Sequence, residues 1–186
     1  MAVLVGFATS GGSSRGVAER LAGRLSVDGI AAETRPVSEI PEVDGYGAVV
    51  LGSAIHGGKW LPEASRFARK NAAALRQRPT WLFSVSTVGD QESMFPPLVA
   101  RCLRTLRKET TEIAALRDMV QAREHRNFAG VIERSDWPLS GRAFFRTMGG
   151  RYGDHRNWPA IDAWAADSIA AALTARSPIK SDGTRG

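Results

Sequence analysis

Short, almost continuously apolar runs alternate with longer amphipathic segments along the chain. The runs at Val3–Ala8, Ala48–Gly52, Trp81–Val85 and Phe128–Ile132 are typical of strands that are covered on both faces of a sheet. A weaker strand is predicted at Ile30–Pro36. Because helical patterns separate these five segments, the order predicts a parallel sheet with helices on both faces.

The amphipathic segments repeat apolar residues at helical spacing. One follows the first strand and ends before Asp28-Gly29, and a second begins near Pro62, since the first turn of a helix tolerates proline. A third opens at Pro96-Pro97, and a last one follows Pro159. The apolar stripe of the third helix consists of Leu98, Val99, Cys102, Leu103 and Leu106. We therefore predict an α/β three-layer sandwich whose five-stranded parallel sheet has the order 2-1-3-4-5.

Composition fits one globular domain. The chain has 186 residues, of which 43% are hydrophobic and 24% charged, which argues against wholesale disorder. No apolar run approaches the roughly 20 residues that cross a bilayer, and no secretory signal is recognisable. A single cysteine, Cys102, excludes an internal disulfide framework. We expect a cytoplasmic protein with one domain at residues 1–176 and a polar, disordered tail at 177–186.

The net charge of +6 is unevenly distributed. Residues 1–60 are near neutral, whereas the segment 65–108 holds nine basic residues and only two acids. Such a surface favours an anionic partner, either an acidic small molecule or an anionic membrane. A solvated helix surface without a partner is the alternative. No zinc-finger spacing, basic heptad or aromatic RNA-binding strand accompanies the charge, so we expect no nucleic-acid partner.

Loops that follow the strands are the candidate site, because ligands of such sheets bind beyond the carboxyl ends of the strands. The first loop, at residues 9–15, has hydroxyls and glycines at the start of a helix, which suits an anion. It lacks both G-x-x-x-x-G-K-[ST] and G-x-G-x-x-G, so one phosphate monoester fits it better than a triphosphate or a dinucleotide. An ordinary turn with Ser13 or Ser14 as helix cap is the alternative.

Two further loops have a similar character. The loop after the third strand contains small residues, Gly57-Gly58 and Trp60, a composition suited to presenting backbone to a flat ring. The alternative is that Trp60 packs under the following helix and His56 is an exposed loop residue. The loop after the fourth strand, Ser86–Asp90, is also small and polar.

Other site chemistries lack their motifs. The three histidines are scattered without the spacing of metal ligands, and G-x-S-x-G of a serine hydrolase is absent. A phosphoacceptor receiver domain needs acids after its first and third strands, where this chain has Thr9-Ser10 and Ser53-Ala54. We therefore expect no metal and no side-chain nucleophile.

The first loop resembles the FMN-phosphate loop of flavodoxins, T-x-T-G-x-T, with Gly11 in place of the middle threonine and Ser14 in place of the last. Residues 52–62 are similar to the G-[AS]-[SA]-I-x-x-G segment of the menaquinone-dependent protoporphyrinogen IX dehydrogenase branch. The resemblance extends over residues 3 to 173 and implies a flavodoxin-like fold with FMN as cofactor. It implies no catalytic side chain, because the chemistry takes place on the flavin.

The resemblance also implies a set of cofactor-binding residues. The phosphate side would comprise Thr9, Ser10, Gly11, Gly12, Ser13 and Ser14. One side of the isoalloxazine ring would be lined by Ser53, Ala54, Ile55, His56, Gly57 and Gly58, and the other by Ser86, Thr87, Val88 and Gly89.

The function implied is an FMN-dependent oxidoreductase of heme biosynthesis that oxidises a porphyrinogen and reduces a quinone, at the inner face of the cell membrane. An electron-transfer flavodoxin or a quinone reductase of another pathway is one alternative. A non-catalytic binding module that uses the basic surface at 65–108 is another. A homodimer is left open as the oligomeric state.

Overall fold

Five parallel strands form the central sheet of the computed structural model, which describes residues 2–106, 111–133 and 139–175. The order is β2-β1-β3-β5-β6, and a short strand β4 pairs antiparallel with the end of β3. The strands are β1 (Val3–Ala8), β2 (Ala32–Pro36), β3 (Ala48–His56), β4 (Lys59–Trp60), β5 (Thr80–Ser86) and β6 (His125–Ala129). The expected order 2-1-3-4-5 is confirmed, because β4 only shifts the numbering.

Helices fill the connections between the strands. They are α1 (Ser13–Val27), α2 (Pro62–Lys70), α3 (Ala72–Arg76), α4 (Pro97–Leu106), α5 (Thr111–Val120) and α6 (Leu139–Thr147). A terminal helical stretch is composed of α7 (Trp158–Ala163), a π-helical segment (Trp164–Ala170) and α8 (Ala171–Thr174). A 3₁₀ turn at Val37–Glu39 and a two-stranded sheet, β7 (Val131–Ile132) with β8 (Gly153–Asp154), complete the described elements.

Two apolar cores cover the two faces of the sheet. On one face α1 and the terminal helical stretch pack on Val3, Val5 and Phe83. On the other face α2, α3 and α5 pack on Leu4 and Leu82. The central strands β1, β3 and β5 are mostly apolar and buried because both faces of the sheet are covered there, so alternate side chains enter opposite cores. The edge strands β2 and β6 contain polar residues and are only partly buried.

The structure differs from the sequence-based expectation at several elements. The predicted strand Phe128–Ile132 is divided: β6 ends at Ala129, and Val131–Ile132 leaves the sheet to pair with β8. Helices α5 and α6 were not predicted. Part of the predicted stripe on α4 is turned to the surface, since Leu98 is 82% exposed and Cys102 is exposed, whereas Val99 and Leu103 are half-buried. The tail at 177–186 lies outside the described residues.

The orientation of helix α4 is set by contacts of the face that bears Ala100 and Arg104. Ala100 is buried, and Arg104, one turn later on the same side, donates to the carbonyl oxygens of Gly89 (2.8 Å) and Gln91 (2.7 Å). These bonds direct the face with Ala100 and Arg104 inward. Leu98 and Cys102 are consequently left at the surface.

Candidate functional site

A cleft of about 650 Å³ opens where β1, β3 and β5 end. Its volume is typical of small-molecule sites, which are roughly 300–1,000 Å³. The sequence-predicted residues that line it are Thr9, Ser10, Gly11, Ser13, Ala54, Ile55, His56, Gly57, Gly58, Ser86 and Thr87. Three loops that are distant in sequence therefore meet at one edge of the sheet, because parallel neighbours end side by side: Ala8 of β1 lies opposite Ser53 of β3.

The loop after β1 is closed by its own hydrogen bonds. The Gly12 N–H donates to Thr9 Oγ1 over 2.9 Å, and the carbonyl of Gly12 accepts the first bond of α1 from Gly16. Gly12 has φ +84°, a left-handed conformation that favours glycine. The loop thereby brings short hydroxyl side chains to the positive end of the α1 dipole.

Ser13 and Ser14 have different surroundings although they are neighbours. Ser13 Oγ accepts from the Val131 N–H over 2.9 Å, so it links the start of α1 to the chain after β6. Ser14 is fully buried, and its Oγ has no hydrogen-bond partner among the described residues. An unpaired buried hydroxyl is costly, and Ser14, which does not itself line the cleft, is a group that a ligand oxygen reaching past the lining at the start of α1 would satisfy.

A hairpin holds the loop after β3. His56 pairs with Lys59 and Ile55 with Trp60 across the turn, in which Gly57 and Gly58 have φ values of +58° and +81°. Two successive positive φ values are typical of the tight turns of hairpins.

Buried polar contacts anchor this hairpin. Trp60 is buried, and its Nε1 donates to Ser84 Oγ over 2.8 Å, so its ring packs in the core and not against the cleft. Ser53, also buried, accepts from the Leu61 N–H and donates to the Ala54 carbonyl. Of the two sequence-based interpretations of this loop, the structure favours the one in which Trp60 packs under the following helix. His56 is exposed, as that interpretation expected, and its side chain lies at the cleft.

The loop after β5 is fastened to the edge strand β6. The Asp90 N–H donates to the Asn127 carbonyl over 2.7 Å, and Asn127 Nδ2 donates to the Val88 carbonyl over 2.7 Å. A Cβ added at Gly89 would lie 2.5 Å from the Ala129 nitrogen, so only glycine fits this approach to β6. Val88 and Gly89 are buried and support the loop without lining the cleft.

Five predicted residues do not line the cleft: Gly12, Ser14, Ser53, Val88 and Gly89. Sequence reasoning in turn missed five residues that do line it: Val85, Met94, Gly130, Val131 and Ile132. Met94 and Ile132 belong to a small apolar cluster with Phe145. Gly130 lies inside the predicted strand Phe128–Ile132. The sequence pattern does not indicate that this strand ends before Gly130, or that the chain after it contacts the start of α1.

The electrostatics of the cleft are simple. Its lining contains no acidic residue and no lysine or arginine, and among the described residues His56 is the lining side chain that can carry a charge. Arg156 lies against the first turn of α1, where an added Cβ at Gly16 would be 2.4 Å from its Nη1. Asp154 pairs with Arg156 at 2.6 Å, and this hydrogen bond lowers the pKa of Asp154. Since the two charges compensate, an anion in the cleft would be bound mainly by neutral donors.

A second cavity of about 370 Å³ lies between β6 and the terminal helical stretch. Its principal charged group, Glu124, accepts from Trp164 Nε1 over 2.8 Å, from Ser168 Oγ and from Arg126 Nε. These internal partners satisfy the Glu124 carboxylate, which therefore needs no ligand, unlike the Ser14 hydroxyl near the first cleft. The described residues also contain no cluster of three or more His, Cys, Asp or Glu that could hold a metal ion.

Comparison with known proteins identifies relatives. The family described as "Flavodoxin domain" matches residues 4–149. Protoporphyrinogen IX dehydrogenase [quinone] of Escherichia coli strain K12 is 33% identical over 90 residues, which is 47% of this chain and 50% of that protein. The chain thus matches about half the length of this curated relative.

Solved structures share the fold at low sequence identity. Oxidised flavodoxin 1 from Bacillus cereus superposes with a TM-score of 0.57 at 13% identity, covering 91% of this chain and 97% of that one. Rubredoxin oxygen:oxidoreductase from Desulfovibrio gigas gives a TM-score of 0.58 at 14% identity, covering 94% of this chain but 36% of that one.

FMN, the cofactor that the family implies, fits the residues of the cleft. The hydroxyls of Thr9 and Ser10 lie in the loop that leads into α1, and the buried Ser14 Oγ of its first turn has no partner among the described residues. The described lining residues include no acid that would repel a phosphate. When bound, FMN would supply the redox chemistry. The sheet order, the three-loop cleft and the family match over residues 4–149 lead to one conclusion: the chain belongs to the flavodoxin domain family, whose cofactor is FMN.

Proposed function

We propose that the chain is an FMN-dependent oxidoreductase that takes electrons from a porphyrinogen and passes them to a quinone. The observation that carries this proposal is the composition of the cleft walls. Among the described lining residues there is no Phe, Tyr or Trp, and apart from His56 and Met94 the walls are glycines, short hydroxyls and aliphatic side chains. Such walls leave the face of a bound flavin open, so a second flat molecule has room to lie against it.

The roles of the residues are part of the proposal. Thr9, Ser10 and Ser14 would bind the phosphate, with Gly11 and Ser13 beside them. The segment Ala54–Gly58 would line one side of the ring and Ser86-Thr87 the other. Ser53, Gly12, Val88 and Gly89 would act indirectly, because their contacts hold the three loops in place.

The similarity to protoporphyrinogen IX dehydrogenase [quinone] supports the choice of substrates, and the basic surface supports the choice of partners. A porphyrinogen bears carboxylates, and a quinone dissolves in a membrane whose surface is anionic. Within the described residues no helix is both long and apolar enough to cross a membrane. We therefore propose peripheral contact with an anionic membrane surface.

Two measurements test the proposal in order. Fluorescence titration of purified protein with FMN, and with riboflavin as control, should show much tighter binding of FMN, because only FMN bears the phosphate. Anaerobic turnover with protoporphyrinogen and menaquinone should then be detectable in the FMN-loaded protein. Tight FMN binding without turnover would overturn the substrate assignment and favour an electron-transfer flavodoxin. No FMN binding would favour a binding module that uses the basic surface.

A further inference from the structure

His56 is exceptional among the residues that line the cleft. Apart from the thioether of Met94, the other described lining residues are glycines, aliphatic side chains and hydroxyls. Among the described lining residues, the imidazole of His56 is the one aromatic ring. It comes from the loop assigned to the flavin ring, yet its hydrogen-bond partner belongs to the phosphate loop.

The position of His56 is fixed by the hairpin that bears it. Strand β3 continues three residues beyond the Ala8–Ser53 pair at the end of β1, so His56 lies past the edge of the sheet. Lys59 pairs with it across the turn, and the buried Trp60 anchors the returning strand. His56 Nε2 is 3.0 Å from Ser10 Oγ, a side-chain contact that joins the phosphate loop to the hairpin.

The direction of this hydrogen bond decides what Ser10 can offer a ligand. A serine hydroxyl has one hydrogen and two acceptor lone pairs, and a neutral histidine has one N–H and one bare nitrogen. If Nε2 is bare, Ser10 donates its hydrogen to His56 and has none for an anion. If Nε2 bears a hydrogen, it donates to Ser10 Oγ, and the Ser10 hydrogen is free to point at a phosphate oxygen.

We propose that His56 is a positioning residue for phosphate recognition: its Nε2–H donates to Ser10 and orients the Ser10 hydroxyl toward the cofactor phosphate. The inference rests on the proposed cofactor site and adds a residue of the ring-side loop to phosphate binding. An anion in the cleft disfavours the form in which Nε2 is bare, because a Ser10 hydrogen is left for the anion only when Nε2 bears a hydrogen. A chain of two hydrogen bonds that ends on a charged oxygen is also polarised in one direction.

Affinities of substituted proteins test the proposal. His56→Gln retains an N–H donor and should bind FMN within about threefold of the unsubstituted protein, whereas His56→Phe retains a ring without a donor and should weaken FMN binding by about fivefold. His56→Glu accepts the Ser10 hydrogen and adds a negative charge, so the loss should be largest. Riboflavin affinity should change less than twofold in the Gln and Phe variants, because riboflavin lacks the phosphate.

A double variant separates positioning from independent binding. Ser10→Ala should weaken FMN binding by about tenfold or more, as expected for a hydrogen bond to a charged group. The combined Ser10→Ala and His56→Phe protein should bind no more weakly than Ser10→Ala alone, because His56 acts through Ser10. Additive losses would overturn the proposal, and so would equal losses for FMN and riboflavin. Lys59→Met, which alters the same hairpin without touching the His56–Ser10 contact, is the matched control.

A spectroscopic measurement provides a readout other than affinity. Two-bond ¹H–¹⁵N spectra of the imidazoles distinguish the Nε2–H form from the Nδ1–H form, and the His56→Gln protein identifies the His56 signal among the three histidines. Addition of FMN should shift His56 to the Nε2–H form, and riboflavin should not. An Nδ1–H form in the FMN complex would overturn the proposal.

Failure of this inference can be distinguished from failure of the cofactor site. If the unsubstituted protein binds FMN and substitutions of His56 leave the affinity unchanged, only the role of His56 is refuted. If the unsubstituted protein does not bind FMN, the cofactor site is refuted as well.

Discussion

At the scale of single residues, three buried serines have different roles in this protein. Ser53 and Ser84 have hydrogen-bond partners that fix the hairpin, whereas Ser14 Oγ has none among the described residues. A buried hydroxyl without a partner costs about 1–3 kcal/mol. We therefore expect the Ser14 hydroxyl to lower the stability of the cofactor-free fold, a cost that is understandable at a binding site.

Ser14→Ala should separate stability from binding. We expect the free energy of unfolding of the cofactor-free protein to rise by up to about 1 kcal/mol, because the unpaired hydroxyl is removed. FMN affinity should fall by about tenfold, since the phosphate loses a donor. Thermal unfolding and FMN titration measure the two effects. Ser53→Ala is the matched control and should destabilise the protein by about 1 kcal/mol, so a loss of stability in Ser14→Ala would contradict the assignment.

Gly11 offers a test of phosphate binding by charge alone. It is exposed, its φ is not left-handed, and an added Cβ would meet no atom within 4 Å. Gly11→Asp should therefore fold normally and weaken FMN binding by about 100-fold through repulsion of the phosphate, with little effect on riboflavin. Gly11→Asn has the same shape without the charge and should lose much less affinity. Equal affinities of the two variants would argue against a phosphate at this loop.

A different substitution, aspartate at both Ser13 and Ser14, would not be a clean test. Ser14 is fully buried, so a carboxylate there would disturb the fold itself. Ser13 Oγ accepts from the Val131 N–H, and its replacement would alter the link between α1 and the chain after β6. This distinction between the two serines depends on tertiary contacts, because both are equally plausible phosphate ligands in the sequence.

At the scale of secondary-structure elements, Glu124 joins the edge strand β6 to the terminal helical stretch. It immediately precedes β6 and accepts from Trp164 and Ser168, both of the π-helical segment. Burial raises the pKa of Glu124, but the hydrogen bonds from Ser168, Trp164 and Arg126 outweigh it, so the pKa lies below its ordinary value. The contact therefore stabilises the protein when the carboxylate is ionised.

This lowered pKa predicts a loss of stability in acid. A carboxyl whose pKa is lower in the folded than in the unfolded state contributes its full stabilisation above the unfolded value, about 4.3, and loses it as the pH falls through the folded value. Glu124→Gln should be about 1 kcal/mol less stable at pH 7 and should lose less stability than the unsubstituted protein below pH 4 or so. Urea unfolding at both pH values measures this. Parallel pH profiles of the two proteins would contradict the role of Glu124.

At the scale of the whole molecule, charge is distributed unequally between groups of helices. Helices α2 to α5, which connect β3 to β6, contain seven basic and three acidic residues, whereas α1 and the terminal helical stretch contain three of each. Arg20–Asp162 and Arg24–Asp28 pairs neutralise charges in the second group.

The basic surface is smaller than the count of nine residues in 65–108 indicates. Arg78 donates to the carbonyls of Val43 and Tyr46, and Arg104 to those of Gly89 and Gln91, so both hold the fold together. Arg107 and Lys108 lie outside the described residues. The exposed cations that remain are Arg66, Arg69, Lys70, Arg76 and Arg101.

Vesicle binding tests the role of this surface. The protein should cosediment with vesicles that contain anionic lipid and not with neutral vesicles, and added salt should weaken the binding. Arg66→Gln combined with Lys70→Gln should lower the affinity for anionic vesicles by about 25-fold, since each cation near such a surface contributes about 1 kcal/mol. FMN affinity is the control and should not change. Equal binding to neutral and anionic vesicles would contradict the proposed membrane contact.

The parallel sheet, its strand order and the loops that form the cleft follow from local sequence patterns. These features depend on local chemistry: continuous apolar runs form strands covered on both faces, and hydroxyls and glycines at a helix start bind anions. Eleven of the sixteen predicted cofactor-binding residues line the cleft for this reason.

The role of each of these residues depends on contacts between distant parts of the chain. The fold pairs Ser13 with Val131 and His56 with Ser10, leaves Ser14 Oγ without a hydrogen-bond partner among the described residues, and adds Met94 and Ile132 to the cleft wall. The Ser13–Val131 contact joins residues that are 118 positions apart. Such contacts cannot be predicted from the local sequence pattern, because they depend on how the helices and the sheet pack together and not on the residues adjacent in sequence.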